Sequence, residues 1–135
     1  MKKFKFQPPY KAPGKTTFPG TRNRSGVYLI KEDGKIVYIG YSGSNLYRTM
    51  YRHFEAWSHS QKVVTYKGMM KSKNYTIRVV LCTTIQAARL ERALIIKYQP
   101  RDNDEKYKGY QLKFPDEKIR DEYFNSDTLL TEIPF

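Results

Sequence analysis

The most constraining feature of the sequence is a pair of short runs rich in β-branched and aromatic residues, separated by a tight turn. Residues 26–30 read Gly-Val-Tyr-Leu-Ile, residues 35–40 read Lys-Ile-Val-Tyr-Ile-Gly, and Asp33-Gly34 lies between them. An Asp-Gly pair between two such runs is a strong signal for a two-residue hairpin turn. The pattern therefore predicts two adjacent antiparallel strands, and the fold must be built on a sheet.

The residues after the hairpin predict a first helix. Ser-Gly-Ser leads into Asn45, which is a good helix N-cap, and Leu46 and Met50 begin a set of apolar residues near helical spacing. We expect this helix to extend over about residues 45–57. Residues 61–67 are compatible with either a short strand or irregular structure.

A third strand and a second helix follow. Residues 75–82 form a β-rich run, and Thr83 and Gln86 then have the spacing of a capping box. The second helix begins there and ends before Pro100. A third, more polar helix is predicted over about residues 115–125. The order β-β-α-β-α-α predicts a single α/β domain with a small antiparallel sheet covered by helices.

The segment before the hairpin has a different composition. Residues 1–25 contain four prolines, two glycines and several lysines and arginines. Such a segment is typical of an extended basic arm, which either lies across the domain or follows a phosphate backbone. We expect three regions: this arm at residues 1–25, a domain at residues 26–103, and a C-terminal extension at residues 104–135.

The charge balance indicates a polyanionic partner. Lysine and arginine number 25 against 13 aspartates and glutamates, for a net charge of +12. Charge alone leaves nucleic acid, an acidic membrane surface and a general solubility effect open. A membrane-spanning run and the apolar core of a signal peptide are both missing from the sequence, so an intracellular, cytoplasmic protein is predicted. The single cysteine, Cys82, excludes an internal disulfide and is expected to be a buried structural thiol.

Two tyrosines stand out within the hairpin. Tyr28 and Tyr38 lie on its two strands, each close to a glycine, Gly26 or Gly40, that permits close approach of backbone or phosphate. Two phenols can therefore point to one site. Ordinary cross-strand packing explains the same pair if no other motif accompanies it.

Further motifs do accompany the pair, in a fixed order. Taken together they resemble the successive motifs of the GIY-YIG nuclease family. They are Gly26-Val27-Tyr28, Tyr38-Ile39-Gly40, Arg48 with His53, Glu91 followed by Leu94-Ile95, and Asn103 after Pro100.

The resemblance implies a three-stranded antiparallel sheet between helices and one divalent cation, Mg²⁺ or Mn²⁺, held by Glu91. A hard cation keeps most of its waters and needs only one or two carboxylates. An ion pair within the helix is the alternative role for Glu91. The resemblance assigns proton abstraction from water to Tyr28, and a hydrogen bond to phosphate or water to Tyr38. Because a phenol titrates near 10, nearby cations must favour its phenolate form.

Two counts along the sequence give different positions for the arginine of the first helix. Arg48 has the expected spacing from Gly40, but the count back from His53 leads to Thr49, so the helix carries one extra residue. We predict that the guanidinium of Arg48 binds phosphate and lies closer to the tyrosines than that of Arg52, which is the alternative.

The resemblance also gives roles to a histidine and an asparagine. His53 is expected to relay a proton to Tyr28 or to bind phosphate, unless it is a structural histidine of the helix. Asn103 is expected to orient a loop or a ligand close to the metal.

The function predicted from these motifs is that of a metal-dependent endonuclease that hydrolyses phosphodiester bonds in DNA, as either a monomer or a homodimer. The alternative is a catalytically inactive nucleic-acid-binding module of the same fold. A basic structural or ribosome-associated protein would explain the charge but not the ordered motifs.

Overall fold

The computed structural model describes residues 2–55 and 64–103, in which the chain forms six strands and two α-helices. The strands are β1 (Lys2–Lys3), β2 (Tyr10–Ala12), β3 (Lys15–Thr16), β4 (Gly26–Glu32), β5 (Lys35–Ser42) and β6 (Tyr75–Leu81). The helices are α1 (Leu46–Tyr51) and α2 (Thr84–Tyr98), with 3₁₀ turns at Pro19–Thr21, Arg52–Phe54 and Lys67–Met69.

The hairpin formed by β4 and β5 confirms the turn predicted from Asp33-Gly34. Glu32 pairs with Lys35, and the two turn residues have φ values of 48° and 86°. Positive φ at both central positions is the geometry of a type I′ turn, whose twist matches that of the strands. The register places Tyr28 opposite Gly40 across the ladder.

The main sheet has four antiparallel strands in the order β1-β6-β4-β5, so the prediction of three strands was wrong by one. The fourth strand comes from the N-terminal segment: Lys2 pairs with Leu81 and Lys3 with Val80. The backbone N–H of Phe4 then donates to Val79 at 2.8 Å. This pairing covers the otherwise open edge of β6. Two lysines in an unpatterned basic segment gave no strand signal in the sequence.

The sheet has apolar side chains on both faces, which explains why β4 is almost continuously buried. One face packs against α2 through Val27, Leu29, Ile39 and Val80. The other face packs against α1 and the N-terminal segment, and it includes Tyr28, Ile30, Met50 and Phe18. Alternation along β4 therefore sends Tyr28 to the α1 face, while its neighbours pack under α2.

The helix boundaries agree with the caps predicted from the sequence, but α1 is shorter than expected. The Asn45 side chain accepts a hydrogen bond from the N–H of Arg48 at 3.2 Å, as an N-cap should. The α-helix ends at Tyr51 and the chain continues as a 3₁₀ turn to Phe54, so α1 ends earlier than the predicted residue 57. For α2, both hydrogen bonds of the Thr83–Gln86 capping box are present.

Two predicted elements fall wholly or partly outside the described residues. The helix predicted over 115–125 lies outside them, as do residues 61–63 of the segment 61–67. Within residues 2–55 and 64–103, no helix is long and apolar enough to cross a bilayer.

Candidate active site

The centre of the candidate site is the phenol of Tyr28, which is only 1 % exposed. Its ring lies across the backbone of Gly40, the cross-strand partner: a Cβ added at Gly40 would lie 2.5 Å from Cζ of Tyr28. Such contacts are far inside van der Waals distance, so only glycine leaves room for the ring here. The close approach that the sequence suggested at Gly40 is therefore an approach by Tyr28 itself.

His53 holds the hydroxyl of Tyr28 from the other side. Its Nε2 lies 2.7 Å from the Tyr28 hydroxyl, and its Nδ1 lies 2.7 Å from the carbonyl oxygen of Val64. A carbonyl can only accept, so Nδ1 carries the proton and Nε2 is left as the acceptor. Tyr28 therefore donates its phenolic proton to His53, and the ring of His53 is fixed by two hydrogen bonds.

Tyr38 completes an aromatic cluster with these two side chains. Its ring centroid lies 4.4 Å from that of His53 and 6.1 Å from that of Tyr28, nearly parallel to the latter. Tyr38 also raises the pKa of the Tyr28 phenol. The structure thus brings together Tyr28, Tyr38 and His53, three of the residues that the sequence singled out.

The electrostatics of the cluster keep both central groups neutral. Burial raises the pKa of the Tyr28 phenol well above its usual range, and the neighbouring Tyr38 and Glu91 raise it further, whereas Arg52 lowers it. Burial also lowers the pKa of His53, and the charge of Arg52 lowers it as well. The hydrogen bond to the carbonyl of Val64 raises this pKa and offsets part of the shift. At neutral pH the pair is therefore a phenol donating to an uncharged imidazole.

The charge of Glu91, which lies on α2, also acts on the cluster. Glu91 is half-buried, and its negative charge acts on Tyr28 although α2 packs on the opposite face of the sheet. Within the part of the chain that the structure describes, no three His, Cys, Asp or Glu side chains come together. A single carboxylate beside two phenols fits a hard, oxygen-preferring cation that keeps most of its waters, and it does not fit a softer metal needing a set of nitrogen or sulfur ligands.

Arg52, and not Arg48, is the arginine whose charge acts on the cluster. Arg48 is exposed, while Arg52 is half-buried and lowers the pKa of both Tyr28 and His53. This effect favours Arg52 over Arg48 as the arginine of the site, and which guanidinium binds phosphate stays a prediction. The α-helix α1 ends at Tyr51, and Arg52 and His53 follow it in a 3₁₀ turn in which His53 is buried.

Asn103 has a backbone partner. Its Oδ1 accepts from the N–H of Ile39 at 2.9 Å and its Nδ2 donates to the carbonyl of Ile39 at 2.8 Å. The N–H of Asp102 also donates to the carbonyl of Val37 at 2.9 Å. The loop after α2 therefore covers the outer edge of β5 on both sides of Tyr38. In this structure Asn103 fixes the strand that carries a site residue.

A polar network that the sequence did not reveal anchors this loop. Arg101 makes two hydrogen bonds to Glu32, at 3.1 and 3.2 Å, and two to Asp102, both at 2.8 Å. Tyr75 donates to Glu32 and Tyr66 donates to Asp102. The hydrogen bonds from Arg101 are the main reason that the pKa of each carboxyl is lowered. Since these residues are far apart in sequence, no local pattern marks them.

The match to a known protein family agrees with the motifs. The model of the GIY-YIG catalytic domain family matches residues 24–108 of the 135-residue chain. The chain has the fold of a nuclease domain, and it belongs to the GIY-YIG family.

One solved structure that the chain resembles is a crystal structure of the GIY-YIG N-terminal endonuclease domain of UvrC from Thermotoga maritima, a point mutant bound to its catalytic divalent cation. The sequences are 26% identical, the match covers 63% of this chain and 88% of that chain, and the TM-score is 0.47. No curated protein matches the sequence.

Proposed function

We propose that the protein is a metal-dependent endonuclease that hydrolyses phosphodiester bonds in DNA. The observation that carries the proposal is the hydrogen bond from the buried Tyr28 hydroxyl to the uncharged Nε2 of His53, within reach of the charge of Glu91. Family membership supports the reaction class, and the net charge of +12 supports a polyanionic substrate.

His53 and Tyr28 form a hydrogen-bonded pair in which His53 can accept the phenolic proton and so activate Tyr28 as a general base. Other hydrolases activate a weak nucleophile or base in the same way. As water approaches phosphorus, Tyr28 takes a proton from it and passes its own phenolic proton to Nε2 of His53. Proton transfer is thus concerted, and a free phenolate need not accumulate in the buried site. The carbonyl of Val64 stabilises the imidazolium that results, because it accepts from Nδ1–H.

Glu91 is the residue that would hold the divalent cation. When bound, such a cation neutralises charge on the phosphate oxygens and lowers the pKa of groups around it. Glu91 raises the pKa of Tyr28 in the protein alone. A carboxylate whose charge is offset by a cation no longer does so, which favours proton transfer through Tyr28.

Arg52 and Tyr38 complete the site. The guanidinium of Arg52 can donate two parallel hydrogen bonds to a phosphate and stabilise the charge that develops on it. The ring of Tyr38 contacts His53 and is nearly parallel to that of Tyr28, and its hydroxyl would hold the phosphate or the attacking water. Asn103 acts at a distance, because it fixes β5 on which Tyr38 lies.

The test is incubation of the purified protein with supercoiled plasmid, linear duplex, single-stranded DNA, branched DNA and RNA, with Mg²⁺ or with chelator. We expect cleavage of DNA that requires the metal and is lost in Glu91→Gln. Asp33→Asn is the matched control, since it also replaces a carboxylate by an amide but lies in the exposed hairpin turn, where asparagine tolerates the positive φ of 48°.

The second candidate function is that of a nucleic-acid-binding module without catalysis. It is favoured by the finding that, among the described residues, no three His, Cys, Asp or Glu side chains are grouped so that they could hold a metal ion. Binding of DNA without cleavage under every metal condition would establish it. Cleavage by Glu91→Gln at the wild-type rate would instead remove Glu91 as the metal ligand.

A further inference from the structure

A groove lined by three arginines adjoins the candidate active site. Its volume is about 340 Å³, and it is lined by Arg22, Asn45, Tyr47, Arg48, Arg52 and Glu55. We call it the arginine groove. Three cations against one carboxylate give it a positive balance, and Arg52 belongs both to this groove and to the surroundings of Tyr28. Arg52 therefore connects the groove to the candidate active site.

The unexpected member of the groove is Arg22, which comes from the N-terminal segment and from outside every motif identified in the sequence. Its guanidinium carbon lies 3.8 Å from the ring centroid of Tyr47, a cation–π contact at stacking distance. Stacking covers one flat face of the guanidinium, while its N–H donors project from the edges in the plane of the group. Arg22 is exposed, so these edges face solvent.

The backbone on both sides of Arg22 is fixed. Before it, Thr21 is buried and its hydroxyl donates to the carbonyl of Phe18 at 2.7 Å. After it, the carbonyl of Arg24 accepts from the N–H of Leu46, the first residue of α1, at 2.9 Å. Tyr47 is itself held by its contact with Tyr51, with ring centroids 4.7 Å apart. Arg22 is thus presented on a fixed support before any ligand arrives, which reduces the entropy lost on binding.

We propose that Arg22, with Arg48 beside it, binds a backbone phosphate of the nucleic acid next to the bond that is cleaved, and that Tyr47 is the positioning residue for Arg22. This inference rests on the proposed function, since it assumes a nucleic-acid substrate in the adjacent site. A planar guanidinium matches the oxygens of a phosphate, and contacts to phosphate set position without reading sequence. The N-terminal segment thereby becomes part of the substrate-binding surface.

The experiment measures binding of a labelled DNA duplex to the full chain in chelator, as a function of salt, so that catalysis plays no part. Arg22→Ala should weaken binding about five- to tenfold at low salt. It should also reduce the slope of log affinity against log salt by about 0.9, the change expected for one lost phosphate contact. Lys35→Ala is the control, because it removes one exposed positive charge at the far end of the β4–β5 hairpin.

The role of Tyr47 is tested by a conservative pair. Tyr47→Leu removes the stacking surface and should weaken binding, whereas Tyr47→Phe keeps the ring and should bind like wild type. If the Tyr47 hydroxyl were what matters, Tyr47→Phe would bind DNA as weakly as Tyr47→Leu. Circular dichroism of each variant confirms that the fold is retained.

Two results overturn the inference and are distinguishable. If wild type binds DNA and Arg22→Ala binds with the same affinity and salt slope, the arginine groove is not a phosphate site, while the proposed function stands. If wild type binds no nucleic acid at all, both the inference and the proposed function fail.

Discussion

The substitution Gly40→Ala tests most sharply how the sheet positions the site. A methyl group at residue 40 would lie 2.5 Å from Cζ and 2.9 Å from Cε1 of Tyr28, and it would also collide with the hydroxyl. The ring has to move by about 1 Å to restore ordinary contact. Because Tyr28 is buried and its hydroxyl is bonded to His53 at 2.7 Å, that movement strains the core and breaks the hydrogen bond.

The magnitude follows from these two effects. Overpacking a core costs about 1–3 kcal/mol, and breaking a buried hydrogen bond costs a further 1–3 kcal/mol or so. Partial relaxation makes the sum an upper bound, so we expect a loss of about 2–4 kcal/mol of unfolding free energy. A displacement of about 1 Å at a catalytic group lowers the rate on the order of 10²-fold. The variant should therefore be measurably less stable and almost inactive on DNA.

The assay is urea denaturation followed by fluorescence, with plasmid cleavage measured in parallel. Gly68→Ala is the matched control: no heavy atom lies within 4 Å of its added Cβ, and its φ is not positive. In a Tyr28→Leu background, which lacks Cζ and the hydroxyl, Gly40→Ala should cost no more than Gly68→Ala. A wild-type stability and rate for the single variant Gly40→Ala would refute the packing argument.

Three further predictions follow from the surroundings of the site. Asn103→Ala removes both side-chain hydrogen bonds to the backbone of Ile39, so urea denaturation should show a loss of about 1–3 kcal/mol in the free energy of unfolding. An unchanged denaturation midpoint would contradict the role of Asn103 in fixing the edge of β5. Folding lowers the pKa of His53 from 6.5, so the unfolded chain binds more protons, and the free energy of unfolding should fall as the pH drops below about 6.5. In His53→Gln, denaturation curves at several pH values should show a smaller fall. Arg52→Ala should lower the cleavage rate on the order of 10²-fold, and Arg48→Ala should lower it much less. If a cleavage assay gives the reverse order, Arg48 is the arginine of the site, as its spacing from Gly40 predicts.

Local signals in the sequence predicted most elements of the fold. The Asp33-Gly34 turn, the Asn45 cap and the Thr83–Gln86 capping box each depend on neighbouring residues, and all three are present in the structure. The fourth strand could not be predicted, because two lysines become a strand only when the edge of β6 is available to pair with them. Strand pairing of this kind is set by tertiary contacts and not by propensity.

The site shows the same division between local and distant information. The spacing of the two tyrosines placed Tyr28 and Tyr38 on adjacent strands, and the hairpin register confirms that placement. Which arginine faces the cluster depended on where α1 changes to a 3₁₀ turn, and helix ends are poorly determined by sequence. The interactions of Asn103 with Ile39 and of Arg101 with Glu32 span more than sixty residues, so no local pattern could reveal them.

The catalytic role of Tyr28 is tested most directly by Tyr28→Phe, measured for both DNA affinity and cleavage rate with saturating Mg²⁺. The variant keeps the ring that packs on Gly40 and loses only the hydroxyl that donates to His53. The account predicts an affinity close to wild type and a rate reduced about 10²–10⁴-fold, the range for loss of general acid–base catalysis. A rate near that of wild type would contradict the account and show that the proton is taken from water by another group.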